Sequence, residues 1–317
     1  MRRASGNFCN AGLFNGSGGL VWVLRDFANW DDGLAPVFER TARRWLDSLT
    51  LPPAASARPD QADLFDGVSG RLVIIAALAI SEVLSPAVAQ QARTRLRTEL
   101  DWLTLVAARG RVPWFVPAYL MGDKPESIHP DYRFGQFPVG AAHGAAGLLT
   151  GLGAAHRILE APAAADSLEE ISTWVIDHAV LEDGTFAGAV GATVDGSPDE
   201  QRKVVTPMSW CNGSDAIAAA VLGAADMTGS QAARAAAHRA LWAASGSAYP
   251  LRPGLCHGSD GGAILRRVAT DRRESPVAGP RQAEHSDHSL ASGCAAAVQV
   301  HIAALTGSAP VEAVMRP

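Results

Sequence analysis

A chain of 317 residues that is 48% hydrophobic and only 19% charged has enough apolar surface for one large packed core and too little charge for a disordered protein. Its formal net charge of −5, with 25 arginines and 2 lysines scattered rather than clustered, excludes a basic field for nucleic acid or an anionic lipid surface. The longest apolar run, Leu72 to Ile80, is nine residues, short of the ~20 that span a bilayer.

The N-terminal apolar stretch is interrupted by Asn15, Gly16 and Ser17 and does not read as a secretion signal, so the four cysteines (Cys9, Cys211, Cys256 and Cys294) are expected in a reducing cytoplasm. In chain order, the elements form a repeat. LFNG (Leu13 to Gly16) opens the first helix and LFDG (Leu64 to Gly67) the second, whose apolar run precedes a more polar helix over 87–107. A long Gly-, Pro- and aromatic-rich connection over 109–142 leads to AAHG (Ala141 to Gly144) and its helix, followed by an amphipathic helix over 167–180. A second long connection, 184–209, leads to WCNG (Trp210 to Gly213), a helix, and an outer helix over 231–244. LCHG (Leu255 to Gly258) and LASG (Leu290 to Gly293) open two further helices, separated by an irregular stretch over 271–288 that leaves the outer helix there short or missing. The six glycines recur at intervals of 35 to 77 residues, each followed by small and then apolar positions, as inner helices alternating with outer ones require. No connection reads as a domain boundary, so 1–317 is expected to be a single all-α domain.

The chemistry gathers at one repeat position. Immediately before the glycines stand Asn15, Asp66, His143, Asn212, His257 and Ser292, and Cys211 and Cys256 stand one residue earlier. The repeat fits an open solenoid or a closed ring; inner helices starting at one end of a ring would bring these groups to one cavity, which a straight stack would not achieve as well, and this favours an α/α toroid. Two thiols and an imidazole (Cys211, Cys256, His257) form a donor set suited to Zn²⁺, and three protein ligands leave a position open for water or substrate. The alternative is that the cysteines are small buried hydrophobes and His257 a core histidine.

These motifs resemble the lanthionine synthetase C family, the LanC and LanC-like zinc cyclases, through GAAHG at Gly140 to Gly144, WCNG, LCHG, Asp63 in DLFDGVSG, and SLASG at Ser289 to Gly293. The resemblance covers nearly the whole chain and implies an α/α toroid, Zn²⁺ held by Cys211, Cys256 and His257, His143 as an acid/base group, and Asp63 as an active-site carboxylate. It also implies the reaction: a peptide cysteine thiol adds to a dehydroalanine or dehydrobutyrine of a dehydrated precursor peptide, forming a thioether ring, with a dehydratase as a further partner. For His143 the alternative is a helix-start histidine bonded to backbone, and for Asp63 an ordinary cap. The resemblance leaves room for a LanC-like protein that binds glutathione or adds it to dehydroamino acids, and for a metal-binding but inactive scaffold. The chain departs from the family at Pro207, where the cyclases carry an arginine, and at Asn212, where they carry an aromatic or histidine. It is also short of about one N-terminal repeat, as a truncated or diverged copy or part of a longer synthetase would be. If a cation replaces the missing arginine, Arg202 and Lys203 are the nearest candidates.

Overall fold

The computed structural model describes residues 11–14, 16–54, 57–107, 112–122, 125–206 and 209–245. The chain is mostly helical there. Helices α1 (Ser17–Ala28), α2 (Ala35–Ser48), the one-turn α3 (Pro59–Ala62), α4 (Val68–Ala79), α5 (Pro86–Ala107), α6 (Ala145–Leu159), α7 (Pro162–Ala179), α8 (Ser214–Thr228) and α9 (Gln231–Ser245) follow in order.

Gly16, Gly67, Gly144 and Gly213 each stand in extended conformation at the residue before α1, α4, α6 and α8. Glycine is required at Gly67 by crowding rather than by backbone angle: a Cβ there would lie 2.5 Å from the Asp63 amide nitrogen. The small and apolar residues that follow give helices buried all round. Every residue of α4 is buried, as are Ala145–Ala155 of α6 and Ser214–Ala225 of α8. Helix α8 then stops at Gly229, whose φ of +76° is the left-handed geometry a helix end needs.

The partners are one-sided. Helix α2 buries Phe38, Ala42, Trp45 and Leu46, and α7 buries Leu168, Ile171, Val175 and Ala179, each a single stripe at helical spacing. Helix α4 packs on α5 and α6, α6 on α7 and α8, and α8 on α9, so a buried inner layer is covered by an outer one. Outer helix α7 begins five residues before the expected Ser167, because Pro162 takes the first-turn position where its missing N–H costs nothing.

One feature departs from an all-helical chain. The two long connections fold into a four-stranded antiparallel sheet, ordered β1 (Val116–Pro117), β2 (Gly135–Pro138), β3 (Ala189–Ala192) and β4 (Pro198–Val204), with Phe137 opposite Val190 and Val190 opposite Lys203. The sheet runs directly into the motif loops: Val139 donates its N–H to Gly188 O at 2.9 Å, and Thr206 donates its hydroxyl to Asn212 O at 2.6 Å.

Inner and outer layers are pinned by a buried charge cluster. Arg71 of α4 donates from Nε and Nη2 to Glu99 Oε2 of α5 at 3.0 and 2.6 Å, and Arg95 Nε donates to Oε1 at 2.9 Å. Glu99 has no solvent exposure. Removing the carboxylate strands two guanidiniums, so Glu99→Ala is expected to cost about 3–5 kcal/mol in urea unfolding, while Arg95→Ala, which leaves the Arg71 pair intact, costs less.

Among the described residues no helix is long and apolar enough to cross a membrane.

Candidate active site

The helix-start loops lie side by side, joined by a ladder of backbone hydrogen bonds between equivalent residues. Phe14 N–H donates to Phe65 O at 3.1 Å, Phe65 N–H to Ala142 O at 3.2 Å, and Ala142 N–H to Cys211 O at 3.0 Å. Each of these residues stands two before its repeat glycine. The loops therefore stack in register, and side chains 51 to 77 residues apart along the repeat become neighbours. Gly140 makes the closest approach possible, since a Cβ there would collide with Asn212 Oδ1.

Across the ladder, Asp63 and His143 meet. Asp63 is only 4% exposed, and its Oδ1 accepts the Asp66 and Gly67 N–H groups at 2.8 and 2.9 Å, which fixes the carboxylate over the turn. Its Oδ2 lies 2.7 Å from His143 Nδ1. A carboxylate only accepts, so Nδ1 carries the proton and Nε2 is the nitrogen left for chemistry. The His143 side chain is 55% exposed, so Nε2 is not walled in by a core. The Asp63 hydrogen bond raises the His143 pKa above its ordinary value of 6.5; partial burial opposes this, and the charges of Asp63, Asp66 and Cys211 add to the rise.

Two consequences follow from that sign. Stability contributed by the pair is fully present below the unfolded histidine value and is lost as pH rises through the raised folded value. Asp63→Asn removes the charge and is expected to return His143 toward 6.5, a downward shift read by NMR titration of the chelator-treated protein.

Cys211 is 4% exposed, with Sγ 3.5 Å from Ser209 Oγ, at the next rung after Ala142. Phe65 lies against the His143 ring with centroids 5.1 Å apart; Phe14 stacks on Phe65 at 4.7 Å and tilts against Trp210 at 5.3 Å. The sequence reading assigned no site role to these two phenylalanines, although both occupy the repeat position of Cys211.

Cys256 and His257 lie outside the described residues, as do Pro207 and the repeats at Gly258 and Gly293. Among the described residues no group of three or more metal-ligating side chains converges. The donor set as a whole fits Zn²⁺ by its chemistry, two thiols and an imidazole, and Cys211 is the member whose surroundings are described.

Both candidate replacement cations have partners on the sheet side of the structure. Lys203 Nζ donates to Val180 O at 2.8 Å, and Arg202 pairs through Nε with Asp199 Oδ2 at 3.1 Å while its guanidinium lies over the Phe134 ring at 5.6 Å. Both belong to strand β4, where Lys203 pairs with Val190 and a register shift separates that pair from Gly191 with Asp199.

Stacked helix-start loops that set an Asp–His pair beside a buried cysteine define a helical-repeat protein with a candidate acid/base and thiol site. The sequence profile described as lanthionine synthetase C-like protein matches residues 3–272, and the chain belongs to that family. Among solved structures it is similar to one described as nisin cyclase, with a TM-score of 0.61 and 19% identity over 82% of this chain. The matched region spans 64% of the length of that nisin cyclase chain. Comparison with curated proteins gave no match.

Proposed function

We propose that this protein is a zinc-dependent cyclase that adds a peptide cysteine thiol to a dehydroalanine or dehydrobutyrine in the same dehydrated precursor peptide. The observation that carries the reading is the backbone ladder, which sets the Asp63–His143 pair one rung from Cys211. Cys256 and His257 hold the equivalent positions in the next repeat of the sequence. Cys211, Cys256 and His257 would then hold the metal.

Bound there, zinc supplies the means to deprotonate a substrate thiol at neutral pH while leaving its sulfur nucleophilic. This chain's residues do the rest. A new S–Cβ bond forms as the Cα=Cβ π bond breaks, and the electron pair passes to Cα and its carbonyl. His143, whose cationic form the Asp63 hydrogen bond favours, would deliver a proton from Nε2 to Cα. The thiol proton lost and the Cα proton gained balance, so the ring is an isomer of the linear peptide. Asp63, held by two backbone N–H groups, keeps the imidazole in the tautomer that presents Nε2.

The fold reading is an α/α toroid of inner and outer helix pairs, with the motif loops at one end. Helix α1 supports closure: α4 is buried all round, whereas α1 leaves Leu20, Val23 and Phe27 exposed on the side opposite its buried Val21, Trp22 and Ala28. Such an apolar edge fits a first inner helix awaiting a neighbour. A dehydratase supplying the substrate, and a cytoplasmic setting, complete the proposal.

The test uses a peptide with one dehydrobutyrine and one cysteine. Cyclisation leaves its mass unchanged and makes it refractory to iodoacetamide. Complete alkylation after incubation with zinc-loaded protein would overturn the reading.

A further inference from the structure

Phe14 and Phe65 occupy, in the first two repeats, the position that Cys211 occupies in the fourth. Where the cysteine offers a sulfur, they offer rings. The two rings stack with centroids 4.7 Å apart and planes 23° from parallel, and Phe65 continues the surface onto the His143 ring at 5.1 Å. Both are only partly buried, although they pack against the main core. The Phe14 amide and the Phe65 amide and carbonyl are rungs of the ladder that leads to Cys211, so the pair is fixed relative to the thiol and the imidazole alike.

We propose that Phe14 and Phe65 form an apolar subsite for the side chain of the peptide residue adjoining the dehydroamino acid, and that the subsite favours leucine-like or aromatic side chains over charged ones. This rests on the peptide-cyclase reading above. For Nε2 to protonate Cα, the dehydro residue must come within hydrogen-bonding range of His143, about 3 Å. The neighbouring Cα is then about 3.8 Å further along the peptide. With the Phe65 ring centre 5.1 Å from that of His143, the next side chain has an aromatic face within its reach. An apolar side chain gains by leaving water there, whereas a carboxylate would be desolvated against rings that offer no donor.

Two labelled hexapeptides test this, each with one dehydroalanine and no cysteine, one with leucine and the other with aspartate beside the dehydro residue. Fluorescence anisotropy with the zinc-loaded full chain should show the leucine peptide binding about tenfold tighter, the lower end of what a hydrophobic contact discriminates. Phe65→Ser and Phe14→Ser should each reduce that ratio to about twofold. Should either variant fail to fold, saturation transfer from aromatic protons to the leucine methyls in the wild-type protein decides instead, and it is expected to be strong. Equal affinities for the two peptides, an unchanged ratio in both folded serine variants, or no transfer to the methyls would overturn the subsite. Neither peptide can cyclise, so the result is independent of ring formation. A chain that prefers leucine yet leaves a cysteine-bearing peptide fully alkylatable would sink the cyclase reading and leave the subsite standing.

Discussion

Cys211→Ala should leave the protein folded, without its zinc and without ring formation. The side chain is buried and small, so exchanging it for alanine removes one sulfur from a well-packed loop and leaves the ladder, which uses the Cys211 carbonyl, in place. A change confined to one buried sulfur costs on the order of 1 kcal/mol, within the usual range for a point substitution and too little to unfold the chain. The loss of metal should be far larger. Removing an outer-shell partner of a metal site already costs about 10–100-fold in affinity, and Cys211 is proposed as a direct ligand. Zinc content should fall from about one per chain to near zero under dialysis, and thioether formation to the uncatalysed rate. Cys211→Ser should behave alike, because a hydroxyl does not ionise at neutral pH as a metal-bound thiol does. Full zinc occupancy in either variant would remove Cys211 from the metal site.

His143→Asn separates the acid from the metal. Asparagine keeps a donor for Asp63 Oδ2 but has no group that gives up a proton near neutral pH. Zinc content and peptide affinity should therefore stay within about twofold of wild type while ring closure slows by about 10²–10⁴-fold, the range for loss of a general acid or base. The pH profile carries a second signature. Because Asp63 raises the His143 pKa, wild-type activity should decline as pH rises through a value above 6.5, as the imidazolium loses its proton. In Asp63→Asn that limb should move to lower pH. An unchanged rate in His143→Asn would exclude the residue as proton donor.

The helix starts were readable from sequence because their signal is local: a glycine, then small and apolar residues, at Gly67, Gly144 and Gly213. The contact between Asp63 and His143 spans 80 residues and has no local signature. Its two residues were singled out only through the family motifs. The backbone ladder left no trace, since N–H and C=O groups are common to all residues. The sheet was missed for a related reason. Its strands are two to seven residues long, pairs such as Gln136 with Gly191 lie far apart in sequence, and β4, PDEQRKV, has no alternation of apolar and polar residues. Arg202 and Lys203 lie on that sheet, where they contact Asp199 and Val180.

The central claim is a zinc centre built from two successive repeats. X-ray absorption at the zinc edge of the purified full-length chain tests it most directly. Two sulfur scatterers at about 2.3 Å and one imidazole nitrogen at about 2.0–2.1 Å, with a light atom in the fourth position, are expected, and one sulfur should disappear from any residual metal in Cys211→Ala. A shell made only of oxygen and nitrogen, or a purified protein that holds no zinc after supplementation, would contradict the account.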